Sequence, residues 1–307
     1  ASTAPANASE RGDANARYNY EDVKRFFLAY EDFQNSGDAW AFDFYLDQGT
    51  IGLKDFEAQF GLTSELLAET VQKYPRFFHS LGDLEVALRG REAELTQMFS
   101  KLGELFPGTT APDVYFVVGG LRAGGQAGNG NHVMVAAEVY SKTATTDTSE
   151  FKPGKRLYSP EDIATIVAHE AGHIVQEEAQ GTDAYLSLYN DPANGTVLAY
   201  ALREGVPNLV AKLVSGDHIN PEAEAYGLQH EEALWSLFEE EAFDTELGDW
   251  FFYRPKEHPE WPRDLGYWMG YRIALRCYNG AADKPAMLTR LLKAHDPKAL
   301  LQECGRP

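Results

Sequence analysis

The stretch "SPEDIATIVAHEAGHIVQEEAQ", residues 159–180, constrains this chain more than any other. Ser159, Pro160 and Asp162 make a helix start signal. The serine offers an oxygen to the first free N–H groups, the proline sits where no N–H is needed, and the aspartate closes a capping box. From there to about Gln180 the chain reads as one helix, apolar on either side of its middle. In that middle stand His169, Glu170 and His173. Buried polar and charged groups need partners, so the fold must bring something to them.

Residues i and i+4 of a helix share one face, a turn apart. His169 and His173 can thus offer two imidazoles to one metal ion, and neutral imidazole suits zinc. Glu170 is rotated by about 100° from His169, so its carboxylate addresses a water on such an ion rather than the ion itself. Two ligands with a base beside the water are what metal-assisted hydrolysis requires. The plain alternative is two histidines that happen to share a helix. The capped start and the apolar flanks weigh against it.

Such a site needs a third protein ligand and an open fourth position. "AYALREGVPNLVAKL" (199–213) supplies Glu204 on a later helical stretch, ringed by Leu198, Ala201, Leu202, Leu209 and Leu213. That apolar periodicity argues against a solvated helix glutamate. Asn208, one turn on, is placed to orient an imidazole N–H.

The rest of the 307 residues bounds the setting. With 47 acidic against 27 basic residues the formal net charge is −20, which repels phosphate backbones and anionic lipid surfaces. No nucleic-acid partner is expected, and no apolar run approaches the ~20 residues that span a bilayer. Residues 1–17, rich in Ala, Ser and Asn, read as a disordered leader such as remains after removal of a signal peptide. The expected location is therefore exported, periplasmic or associated with the cell envelope. Cys277 and Cys304 lie in no CxxC pair. In an exported chain they can close one disulfide, the alternative being two buried thiols.

Order is expected from Tyr18, with an amphipathic helix carrying Val23, Phe26, Phe27, Tyr30 and Phe33 and stopping at Asn35-Ser36-Gly37. Further helices are predicted at about 64–73, 83–103, 194–214, 222–244, 262–279 and 284–302. Strands are predicted at 113–120 and 132–140, flanking a glycine-rich turn. The predicted class is α+β, a mostly helical chain with a small β-sheet before the HExxH helix. One domain over 18–307 is expected, divided into 18–107 (helical), 108–180 (sheet and HExxH helix) and 181–307 (helical).

"HEAGH" followed by "REGVPNLVAKL" resembles the glutamate-zincin (gluzincin) peptidases, the thermolysin-like and aminopeptidase-like class. More closely, the chain resembles a family of predicted zinc-dependent proteases related to bacterial gliding-motility lipoproteins. "FYLDQGTIGLKDF" (44–56), "VYFVVGGLRAGGQ" (114–126), "REGVPNLVAKL" (203–213) and "RDLGYWMGYRIA" (263–274) carry that likeness in the same order. It covers nearly everything after the leader. The resemblance implies a gluzincin fold and zinc peptidase activity on a peptide or protein substrate, with His169, His173 and Glu204 as ligands and Glu170 as base. In one place the chain departs from the family. Where the family has Gly-x-Ala-Asp after its glutamate, this chain has Gly205-Val206-Pro207-Asn208. A neutral Asn is a weaker acceptor for an imidazole N–H than Asp.

Peptide hydrolysis also needs a donor for the developing oxyanion. Tyr267 and Tyr271, on one helical face of "GYWMGYR", are the candidates, with core packing as the alternative. Zincins keep an edge strand before the motif helix that pairs with extended substrates. "HVMVAAEVY" is expected to be that strand, with Glu138 on it to meet a substrate amine or else facing solvent. Gly124 and Gly125 are candidate substrate contacts. They lack the Lys-Ser/Thr and helix start of a nucleotide loop. A second functional class stays open: a zinc-holding interaction or assembly protein of the cell envelope that turns nothing over.

Overall fold

The computed structural model of the protein describes residues 17–152, 154–252 and 255–306. Of the leader expected over 1–17 only Arg17 is among them, its guanidinium 2.8 Å from the Asp113 carboxylate; the rest of that expectation lies outside the described residues. By its internal contacts the chain divides into two compact units, 1–171 and 172–307. The division falls inside one long helix, so that helix belongs to both.

The first unit opens with the short strand β1 (Tyr18–Asn19) and the helix α1 (Glu21–Ser36). Val23, Phe26 and Phe33 of the predicted apolar face are buried, whereas Phe27 and Tyr30 are half-buried. Gly37 ends α1 in the left-handed conformation, φ 75°, its N–H donating to the Phe33 carbonyl, as glycine at a helix C-terminus does. A 3-10 turn (Ala39–Phe42) leads to α2 (Asp43–Asp47), α3 (Ile51–Phe60), α4 (Ser64–Lys73), α5 (Pro75–His79), α6 (Leu84–Arg89) and α7 (Glu92–Leu105). The single helix expected at 83–103 is thus two, separated at Gly90-Arg91. The hydroxyls of Thr50 and Thr63 accept the Leu53 and Leu66 N–H groups and so cap α3 and α4. Phe26 packs its ring against those of Phe42, Tyr45 and Phe78, which fastens α1 to the elements that follow it.

The sheet adds β2 (Asp113–Val117), β3 (Gly125–Ala127) and β4 (His132–Ala136), in the order β1-β2-β4-β3. β1, β2 and β4 run parallel; β3 runs antiparallel to β4, with Gln126 opposite Met134. Here the structure corrects the sequence reading. The glycine-rich segment is more than a turn, since its middle forms β3 and pairs with β4. β4 is therefore interior, and β3 is the edge strand. The physical reason lies in β4 itself: all five of its residues are buried, the signature of a strand flanked on both faces and both sides. The chain also leaves the sheet earlier than expected, at Ala136, and turns into a 3-10 segment (Ala137–Tyr140).

The Ser159 capping box forms as predicted. Ser159 accepts the Glu161 N–H through its side chain, and its own N–H donates to Asp162 Oδ2 at 3.0 Å. A 3-10 turn (Pro160–Asp162) leads straight into α8 (Ile163–Gln180).

The second unit is helical: α9 (Thr182–Asn190), α10 (Val197–Val214), α11 (Pro221–Glu241), α12 (Leu265–Gly280), α13 (Lys284–Lys293) and α14 (Pro297–Cys304). α10 to α12 match the sequence reading. α9 was not foreseen, and the helix expected at 284–302 is interrupted by the Ala294–Asp296 turn. α10 is buried on nearly every side. It meets α12 backbone to backbone: a Cβ on Gly270 would stand 1.7 Å from the Ala201 carbonyl oxygen, and one on Gly205 2.1 Å from the Gly270 carbonyl carbon. Cys277 of α12 and Cys304 of α14 form a disulfide, the first of the two alternatives the sequence allowed. The protein is mostly helical with a small four-stranded sheet, an α+β arrangement, and no described helix is long and apolar enough to cross a membrane.

A buried candidate metal centre

α8 presents His169 and His173 on one face, as their spacing requires. The contact between α8 and α10 in the second unit explains how Glu204 reaches them. A Cβ on Gly172 would lie 2.9 Å from the Cα of Pro207. Glycine at that place lets the two backbones approach at the level of the histidines. Nε2 of His173 is 3.2 Å from Oε2 of Glu204. One ligand atom from each of His169, His173 and Glu204 lies within 4.8 Å of the others, and none of the three residues is more than 8% exposed.

Two imidazole nitrogens and one carboxylate oxygen are a donor set that metal ions accept. The set can hold a metal ion. Two of its members, His173 and Glu204, are already in contact with each other.

Glu170, next to His169 in α8, is buried too. Its Oε2 accepts the backbone N–H of Ala127 in β3 at 2.9 Å, so the carboxylate is tied to the edge strand. Gly125, also in β3, lies flat on α8: a Cβ there would come within 2.5 Å of Ile166 Cγ1 and 3.4 Å of Glu170 Cγ. Gly124 lies against the Tyr140 hydroxyl, and its carbonyl accepts the Ala136 N–H at 2.8 Å.

The other expected residues have these partners. Asn208 is fully buried and donates to Asn220 Oδ1 at 2.8 Å. Asn220 in turn donates its N–H to His218 Nδ1, and His218 Nε2 lies 3.3 Å from Glu224. Tyr271 belongs to this polar group: its ring lies 4.5 Å from that of His218, and burial, then the Glu224 charge, pushes its phenol up to about 12. Tyr267 packs beside Phe251. Glu138 is fully buried rather than facing solvent. Its Oε1 accepts the N–H groups of Gly119 and Leu121 at 2.9 and 2.8 Å, and burial pushes its carboxyl up to about 7 against those bonds.

Sequence reasoning missed two residues of the site. Tyr185 of α9 places its hydroxyl 3.2 Å from His173 Nδ1, the ring nitrogen opposite the one facing Glu204. Ligating histidines are oriented by a partner on their other nitrogen, and Tyr185 fills that place. Arg203, directly before Glu204, lays its guanidinium 3.5 Å over the Tyr185 ring and donates to the Tyr185 carbonyl. The signal for Arg203 was its adjacency to Glu204. Tyr185, on a helix the periodicity did not reveal, left none.

Comparison of the chain with protein-family models, with curated proteins and with solved structures gives no match.

Proposed function

We propose that the protein is a zinc-dependent peptidase of gluzincin type. The observation that carries this reading is the buried His169, His173 and Glu204 set, with buried Glu170 next to His169 and bonded to β3 through one carboxylate oxygen. In this reading His169, His173 and Glu204 hold the ion. When bound, zinc supplies Lewis acidity, which lowers the pKa of water and polarises a carbonyl. The chain's own groups do the rest. Glu170 takes the proton of the attacking water and hands it to the leaving amine. β3, next to Glu170, is an edge strand along which an extended peptide backbone can pair. Tyr185 holds the His173 ring with Nε2 toward Glu204. Tyr267 and Tyr271 remain the candidate oxyanion donors.

We also propose that the protein is exported. The Cys277–Cys304 disulfide supports that reading, since such bonds persist in oxidising compartments.

Elemental analysis of purified protein is expected to find about one zinc per chain, released by acid as the imidazoles protonate. Cleavage of a mixed peptide library should stop on chelation and return with zinc. Zinc bound tightly with no cleavage in any library would instead make this a structural site in an interaction or assembly protein. No transition metal, even after supplementation, would end the enzymatic reading.

A further inference from the structure

Within the second unit, α8, α9, α10 and the turn between α13 and α14 surround a cavity of about 310 Å³, within the size range of small-molecule sites. Its polar walls are basic or neutral. Arg203, Lys293 and His295 line it together with Gln176, Gln180 and Ser187, and among the described residues no carboxylate does. That runs against the composition of a chain with 47 acidic and 27 basic residues.

Two groups in the wall lack partners. Arg203 is 5% exposed and Gln176 1%, and among the described residues Nη1 of Arg203 and Oε1 of Gln176 make no hydrogen bond. Both side chains are held by their other ends: Arg203 by the Tyr185 carbonyl and ring, Gln176 by the Leu202 carbonyl at 3.4 Å. A fixed guanidinium with an unused N–H carries a desolvation cost that an anionic acceptor relieves, and a carboxylate matches its donor geometry best. Lys293 and His295 stand exposed on a turn next to Leu292, whose carbonyl accepts Gln180 Nε2 at 2.7 Å. They add attraction for the same charge.

We propose that this cavity binds a small organic carboxylate, with Arg203 as the buried anchor and Lys293 and His295 at the rim. The carboxylate is either a free acid or the C-terminus of a short peptide; the chemistry is shared. Binding does not require the metal.

Isothermal titration of the full chain, stripped with chelator and dialysed, tests this with succinate, dialanine and dialanine amide. At least one acid should bind, and the amide should bind about tenfold or more weakly than dialanine, the scale of a charged hydrogen bond. Dialanine without succinate identifies a peptide terminus; succinate without dialanine identifies a free acid. The K293S/H295N variant changes two exposed positions and should keep the fold while weakening binding about three- to tenfold. Arg203→Gln should abolish binding; if it fails to fold, the rim variant decides. The proposal is overturned if neither acid binds at millimolar concentration, if the amide binds as well as the acid, or if the rim variant binds like the parent. Binding confined to zinc-loaded protein would put the carboxylate on the ion and overturn it as well. None of these outcomes depends on whether the protein cleaves peptides.

Discussion

The backbone N–H of Ala127 stands 2.9 Å from Oε2 of Glu170, tying the edge strand of the sheet to the middle of α8. That bond holds one oxygen of the Glu170 carboxylate, while Glu204 stands with the two histidines, so the roles of the two buried glutamates are separable by experiment.

Glu204→Gln replaces an anionic ligand by a neutral amide and should weaken zinc binding. Glu170→Gln should keep the metal, and its amide oxygen can still accept from Ala127. It should nevertheless lose turnover by about 10²–10⁴, the usual range for a general base. Zinc content and peptidase rate, measured on both variants, check this. Equal loss of zinc would show that the roles are misassigned.

Tyr185→Phe removes the hydroxyl at His173 Nδ1 while leaving an aromatic ring beneath the Arg203 guanidinium. The variant should fold with unchanged thermal stability of the metal-free protein, and bind zinc about tenfold more weakly, as loss of an imidazole's orienting partner does. Competition against a chelator of known affinity measures it. Unchanged affinity would leave Tyr185 a packing residue.

The Cys277–Cys304 bond closes a loop with a sequence separation of 27. Loop-closure entropy for that length is worth about 3–4 kcal/mol. Reduction, or Cys304→Ser, should lower the urea midpoint accordingly. Alkylation of the denatured, unreduced protein should label no cysteine; two labelled thiols would contradict the bond.

Glu138 gives a pH dependence with a definite sign. Its folded carboxyl is pushed up to about 7 by burial, from an ordinary value of 4.5, so between those values the folded state holds a proton that the unfolded state has lost. Its contribution to stability is full below pH 4.5 and is lost as the pH rises through 7. Glu138→Gln imitates the protonated form and should gain on the parent by about 3 kcal/mol between pH 4.5 and 8. Urea unfolding of both proteins at those two pH values checks it. A difference that does not change with pH would refute the assignment.

The sequence made the candidate metal-ligand set legible because HExxH is a local pattern on one capped helix and Glu204 sits in an apolar run of its own. What it hid was carried by contacts between distant segments. Edge and interior strands cannot be told apart from "HVMVAAEVY", because pairing partners leave no trace in a strand's own residues. β3 has only three residues, two of them near glycines usually read as turn. α9 has a mixed pattern, with Leu188 its one fully buried residue, so Tyr185 stayed out of view. Asn208 was placed on the correct helix, yet one of its partners is Asn220 on the far side of a loop. Glu138 was weighed as a surface residue because its two backbone donors, Gly119 and Leu121, belong to a bend that no periodicity announces.

The glycine contacts of α10 have a mechanical consequence. Gly172 meets Pro207 on one side of the helix, and Gly205 and Gly270 meet on another, in each case with no room for a Cβ. Helices that touch through side chains can slip past one another by exchanging rotamers. Helices that touch through bare backbone cannot, because the next residue along would drive a side chain into the gap. α10 is therefore keyed lengthwise like a bolt in two notches, and the axial position of Glu204 is set by its neighbours' missing atoms. Alanine at Gly270 would act on the carboxylate from a residue that has no side chain of its own, by pushing α10 away from α12 at Ala201.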